Sequence, residues 1–390
     1  MGREEYLRLL GKLFYCQKRE LREYWQNLPV ELREEFLTKL ILEDAGILAL
    51  SRLGPQLLPE ETVAKLEEER IFLLTNSLKQ ESAFRHVFQL FEERGIRYAP
   101  IKGIDLAYRI YPSPSLRPFG DWDFLFHPQE MDRVYDCLRK DGWREITEYH
   151  KSKNHHHYSP LVKDNYWLEP HWTLPCSENS PAELLWNYMT PQVPGSFHYL
   201  LSPELNLLLV ARHAASSTYR GMRLTKMLLD AAFIMRKDPI DWEKCRRFCK
   251  EFAQPYPGNL FGSFPEFFPA ETIACMNPDA ELVSAYRRIF ETRKMFSKES
   301  FGEVVLMEEN RFSPAWFKRH FSVYFHPKTM RYKYSLPARG RYGALCLAYI
   351  KDIFSKMGRL FNFVIGKRYQ GMADFYRLVE KVEGSRTSKR

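Results

Sequence analysis

Two aspartates flank a tryptophan at Asp121-Trp122-Asp123, and a lysine–glycine pair, Lys102-Gly103, precedes them by 18 positions counted from the glycine. On an extended chain residues two apart share a face, so the two carboxylates project together while Trp122 points the other way. Carboxylates that close repel and raise each other's pKa unless a cation sits between them. Magnesium, a hard ion that prefers oxygen ligands and substrate phosphates, suits that demand. Lys102-Gly103 stands where a short extended segment, Arg97–Ile101, passes into a helix. A glycine there lets backbone N–H groups approach an anion, the helix dipole favours phosphate, and Lys102 adds a point charge.

The elements that must position these residues follow from periodicity. The first 95 residues read as helical, with apolar positions recurring at three and four through Leu7–Trp25, Leu32–Leu50 and Val63–Phe91. Breaks fall at Asn27–Pro29 and Gly54–Pro59, and Gly95 closes the third stretch. The texture then changes. After the Arg97–Ile101 strand come a brief helix from Gly103 through Tyr111, a Pro/Ser-rich loop over Pro112–Pro118, and a half-buried strand over Asp121–Phe126. His127-Pro128 opens an amphipathic helix to Lys140. Trp143–His150, His155–Val162 and Tyr166–Trp172 are further strands, the last two a hairpin.

From Pro181 the pattern is helical again, with Ser202 as N-cap and Pro203 at the first helical position of a helix to about Ser216. Helices are expected over Leu224–Arg236, Asp241–Phe252, Asp279–Lys294, Pro314–Phe325 and Arg341–Lys381, with a packed loop over Gln254–Pro269. The expected fold is α+β: a small mixed-sheet core over residues 96–180, preceded by a helical region at 1–95. It is followed by a helical domain at 181–300 and a basic, aromatic-rich helical region at 301–390.

Charge and composition narrow the classes. The net charge of +9 is concentrated at one end: residues 311–390 hold 18 Lys/Arg against 4 Asp/Glu, leaving about −5 on the rest. Such a region attracts nucleic acid, anionic lipid or a phosphorylated substrate, so an acidic partner is expected there. The longest apolar runs, Leu205–Ala211 and Gly343–Ile350, fall far short of the ~20 residues of a spanning helix. The N-terminus lacks the layout of a secretory signal, which points to the cytoplasm. Seven cysteines with one close pair, Cys245/Cys249, and no CxxC support neither a disulfide framework nor a zinc ribbon. No P-loop, dinucleotide fingerprint or serine nucleophile elbow is present. The run His155-His156-His157 reads as surface residues, since only His155 and His157 share a strand face. His213 and Asp230 read first as a buried histidine satisfied by a carboxylate, and second as contacts to nucleobase or ribose.

Strand–glycine–helix followed by a strand bearing Asp-x-Asp is the layout of the polymerase-beta-like nucleotidyltransferases. The chain resembles one group of that superfamily, the bacterial uncharacterised nucleotidyltransferase family. The residues carrying the likeness are Ile101-Lys102-Gly103, Leu106-Ala107, Tyr111-Pro112, Arg117, Gly120-Asp121-Trp122-Asp123, Gly142-Trp143 and Glu169-Pro170-His171. It continues through Ser202-Pro203-Glu204, Leu207–Leu209, His213, Arg223-Leu224, Leu229-Asp230 and Asp241-Trp242, covering roughly residues 70–255.

The resemblance implies transfer of a nucleoside monophosphate from an NTP such as ATP to an acceptor hydroxyl, with pyrophosphate leaving. Two Mg²⁺ ions, or Mn²⁺ in their place, would be held by Asp121, Asp123 and Glu169, which would also be the catalytic carboxylates. Lys102, Gly103, Arg117, Gly120 and His171 would contact the nucleotide, with Lys102 and Arg117 neutralising its triphosphate. Glu169 is either a ligand or an exposed strand residue, and His171 reads first as a strand-end structural residue or a neighbour of the ligands, and second as a ligand. Pro170 removes a ladder donor, so its strand is expected at an edge or end of the sheet. Wider relatives carry Gly-Ser where this chain has Gly103-Ile104, and Lys102 would take over the phosphate contact of that serine. Three classes of function stand: an enzyme modifying a small molecule, sugar or peptide; one modifying RNA or protein, as toxins do; or a non-catalytic nucleotide- or RNA-binding module.

Overall fold

A computed structural model describes residues 1–145, 157–175, 182–219, 224–252 and 254–292, with isolated positions between 343 and 350. His155, His156, Cys176 and nearly all of the basic region at 311–390 lie outside the described residues. Residues 1–218 and 222–287 pack as one unit; a second is drawn from Tyr219–Gly221 and Arg288–Lys381, almost all of it undescribed.

The N-terminal helices are α1 (Arg3–Tyr15), α2 (Lys18–Gln26), α3 (Val30–Leu42), α4 (Gly46–Leu53) and the long α5 (Glu60–Glu93). The breaks at 27–29 and 54–59 are where Pro and Gly place them, and Gly95 takes a φ of 59° after α5. Two further breaks interrupt stretches whose apolar spacing runs on. Cys16 is extended between α1 and α2, and Asp44 adopts a φ of 56° between α3 and α4.

The core follows as β1 (Tyr98–Pro100), α6 (Lys102–Asp105) running into a π-helical turn over Leu106–Ile110, β2 (Trp122–Phe126), α7 (Met131–Lys140), β3 (Arg144–Glu145), β4 (Leu161–Lys163) and β5 (Tyr166–His171). These strands form one mixed sheet in the order β1-β2-β5-β4-β3. β1 and β2 are antiparallel, β2 and β5 parallel, and β4 pairs antiparallel with both β5 and β3. The expected hairpin is β4–β5, turning at Asp164, whose φ is 52°.

Both faces of β2 are buried, for different reasons. Trp122, Phe124 and Phe126 pack with Phe84, Val87 and Phe91 of α5 and Val134 and Leu138 of α7. Burying each such large apolar side chain contributes about 2–3 kcal/mol. Trp122 also stacks on Tyr166 with ring centroids 4.6 Å apart. The opposite face carries Asp123 and Leu125, and Leu125 joins a second cluster with Ala99, Ile101, Leu205, Leu208 and Phe248.

β5 is an interior strand, not an edge, contrary to the reading of Pro170. The proline is tolerated because β4 is already past its end there: Leu161 pairs with Leu168, and beyond it Tyr158 N–H donates to the Pro170 carbonyl at 2.8 Å. The missing donor of Pro170 thus faces the interruption between the β4 ladder and the isolated His157–His171 bridge.

The C-terminal helical part comprises α8 (Ala182–Trp186), the two-stranded β6 (Met189–Pro191) and β7 (Tyr199–Leu201), α9 (Pro203–Tyr219), α10 (Leu224–Lys237), α11 (Trp242–Glu251), α12 (Pro257–Gly262), α13 (Ala270–Met276) and α14 (Ala280–Thr292). Ser202 caps α9 through its hydroxyl, which accepts from Leu205 N at 3.4 Å, and Asp241 caps α11 by accepting from Lys244 N at 2.9 Å. The loop expected at 254–269 contains the buried α12. The result is an α+β fold whose small mixed sheet is flanked by helical regions on both sides in sequence. Among the described residues no helix is long and apolar enough to cross a membrane.

Candidate active site

Parallel pairing of β2 with β5 sets Asp123 beside Glu169 and Leu125 beside His171. Alternation then puts Asp123, Glu169 and His171 on one face, opposite the aromatic cluster around Trp122. One ligand atom from each of the three lies within 4.8 Å of the others. Asp123 is only 3% exposed. Its Oδ1 accepts from Lys102 Nζ at 2.7 Å and stands 2.7 Å from His171 Nε2. The lysine and imidazole nitrogens are 3.4 Å apart.

Lys102 reaches Asp123 from the β1–α6 junction, where Ile101 N–H donates to the Asp123 carbonyl at 3.0 Å. The backbone turns there through Lys102 itself, which takes a left-handed φ of 54°. That conformation costs a non-glycine residue about 1–2 kcal/mol. Gly103 serves packing: a Cβ on it would lie 2.6 Å from Cβ of Phe119.

Burial by itself would raise the Asp123 carboxyl, but Lys102 and then His171 hold it down at about 2. Glu169 goes the other way, raised by burial and then by Asp123. Its Oε1 accepts from Trp167 Nε1 at 3.3 Å, and its Oε2 is 3.9 Å from His171 Nε2. Asp121 precedes β2 and is exposed, outside the 4.8 Å group. Its carboxyl is also raised, by desolvation and then by Asp123. Gly120 beside it is exposed with open space around its Cα.

Arg117 has a different partner from the one expected. Its guanidinium forks onto Asp230 of α10 at 2.6 and 2.9 Å, and Tyr111 OH donates to the same carboxylate at 2.7 Å. The three residues are buried, so Arg117 ties the 112–120 loop to α10 with its charge compensated. Asp230 therefore serves an arginine and a tyrosine.

Two basic side chains lie near the acids: His213, which the sequence singled out, and Lys226, which it did not. His213 of α9 is pushed below its ordinary pKa by desolvation and then by Lys102. Lys226 of α10 donates to the Pro118 carbonyl at 2.9 Å, and burial followed by Arg117 pushes it down to about 8. The available signal was spacing: Lys226 and Asp230 are four apart on one helix face.

The family model described as "Uncharacterised nucleotidyltransferase" matches residues 47–252, more than half of the chain. The chain belongs to the uncharacterised nucleotidyltransferase family. No curated protein and no solved structure matches it. The family match begins in α4 and runs through α11, so it takes in helices from both sides of the sheet.

For a nucleotidyltransferase-family chain the donor set fits a divalent cation. Two carboxylates and an imidazole converge, and Glu169 and Asp121 each feel Asp123 as a repulsive neighbour. A bound cation would relieve that repulsion. Oxygen donors suit Mg²⁺, and the imidazole extends the range towards Mn²⁺.

Proposed function

We propose that this chain transfers a nucleoside monophosphate from an NTP to an acceptor hydroxyl, with pyrophosphate released. The observation that carries the reading is the convergence of Asp123, Glu169 and His171 on adjacent parallel strands facing Lys102, in a chain of this family. Asp121, Asp123 and Glu169, with His171 beside them, would hold one or two Mg²⁺ ions. When bound, the metal neutralises phosphate charge and acidifies the attacking hydroxyl.

The chain's own groups do the rest. Lys102 Nζ sits at the lip of the site, 22% exposed, and offers its charge to the α-phosphate. Glu169 Oε2, in a carboxyl raised by burial, accepts the hydroxyl proton as the acceptor oxygen–phosphorus bond forms and the bond to the departing pyrophosphate breaks. Asp123, held ionised, keeps Lys102 and His171 in place. Arg117 and Asp230 fix the loop that ends at Asp121. The free thiols of the described cysteines agree with a cytoplasmic setting.

Acceptor identity is best sought among acidic macromolecules, RNA first, because residues 311–390 carry a net +14. The test is incubation of the full chain with each α-labelled NTP, Mg²⁺ or Mn²⁺, and cell extract with and without RNase. Wild type should label an acceptor, and D123N should lose at least a hundredfold in rate. Label transfer by D123N at the wild-type rate would overturn the assignment.

A further inference from the structure

We propose that Lys226 on α10 is the seat of the nucleotide's terminal phosphates. This rests on the nucleotidyl-transfer reading and gives that site its polyphosphate end.

The first argument is an accounting of partners. An ammonium carries three donors. Lys226 uses one, to the Pro118 carbonyl at 2.9 Å, and forms no ion pair among the described residues. The carboxylates whose fields reach it are Asp230, Asp44 and Asp121. Both oxygens of Asp230 are already taken by Arg117, and Oδ1 by Tyr111 as well. A half-buried cation beside a second, fully buried one is an arrangement that burial and repulsion both disfavour. An anion supplied from outside would offset both.

The second argument is placement. Pro118, which anchors the ammonium, lies three residues before Asp121 on one loop, and that loop is pinned to α10 by the Arg117–Asp230 fork. The charges of both Lys102 and Lys226 act on Asp121. Lys102 bonds Asp123 and is assigned to the α-phosphate. Arg117 is committed to Asp230, whereas Lys226, anchored to the same loop, keeps donors to spare. Its chemistry fits: lysine is a mobile point charge that suits phosphate oxygens without demanding a planar, two-pronged partner.

The probes are inorganic tripolyphosphate, an NTP and the matching NMP, titrated with Mg²⁺ into the full-length wild type, K226Q and K226R. Melting profiles check that each variant is folded. K226Q should bind tripolyphosphate and NTP about ten- to a hundredfold more weakly while NMP affinity holds, and K226R should recover part of the loss. In transfer assays the loss should appear in KM for the NTP more than in kcat. The proposal is overturned if K226Q binds tripolyphosphate within twofold of wild type, if NMP binding falls as far as NTP binding, or if wild type binds no tripolyphosphate. Should K226Q fail to fold, wild type is treated with an amine-reactive reagent: tripolyphosphate with Mg²⁺ should slow modification of Lys226 at least threefold, and an unchanged rate overturns the proposal. Wild type that binds tripolyphosphate through Lys226 yet transfers no nucleotide would sink the reaction and leave the phosphate seat standing.

Discussion

At the scale of single residues, Asp123 and Glu169 share a face and answer burial with opposite signs. Lys102 and His171 outweigh the burial of Asp123 and bring its carboxyl from an ordinary 3.8 to about 2. A depressed carboxyl stabilises the fold fully above its unfolded pKa, and the contribution drains away as pH falls from about 4 towards 2. In chelator, D123N should therefore be less stable than wild type by about 3 kcal/mol at pH 7, with the gap closing towards pH 2. Urea unfolding at a series of pH values measures it, and a gap that stays constant with pH would contradict the ion-pair account. Glu169 is raised, so its ionisation weakens the metal-free fold as pH climbs through its folded pKa. E169Q should be the more stable protein without metal at neutral pH, and Mg²⁺ should raise the Tm of wild type but not that of E169Q.

The elements show where local pattern misleads. The apolar spacing of Leu7–Trp25 and of Leu32–Leu50 runs on through Cys16 and Asp44, yet the chain breaks at both. Periodicity reports which face is buried, and two helices packed on the same core keep that face while the backbone between them turns. The β1–α6 junction is similar. The sequence marks a glycine there, but the left-handed residue is Lys102, and Gly103 is the residue under Phe119. Strain and charge at position 102 can be separated. K102A and K102G both lose the ammonium, but only glycine is at ease at a φ of 54°, so K102G should be more stable than K102A by about 1 kcal/mol in urea. G103A should lose about 1–3 kcal/mol through its contact with Phe119.

For the molecule as a whole, the sheet and the C-terminal helices belong to one packed unit, and the family match spans both. The Arg117–Asp230 fork joins them across 113 residues of chain, with Tyr111 as a third member. Removing one partner leaves the other charge buried and alone, which costs about 3–5 kcal/mol. D230N and R117M should each destabilise by that amount. Because Lys226 anchors to the same loop, each should also weaken NTP binding. A double-mutant cycle measures the coupling, and additive effects would show that the pair does not act as a unit.

Much of this was legible in the chain itself. Strand alternation separates Asp123 from Trp122 and puts Glu169 with His171; Ser202-Pro203 and Asp241 start helices; and the glycine, arginine and aspartate spacing points to the family. Those features are local, since two- and 3.6-residue periods and caps act over a few residues. What folding alone decided is which distant groups meet: β5 against β2 in parallel, so that Glu169 lies beside Asp123; Lys102 on Asp123; Arg117 on Asp230; and Lys226 against Pro118. Charges of one sign have several possible counterparts in a chain with 58 basic and 49 acidic residues. The pairing is chosen by how apolar faces pack, and that choice is made by surfaces far apart in sequence.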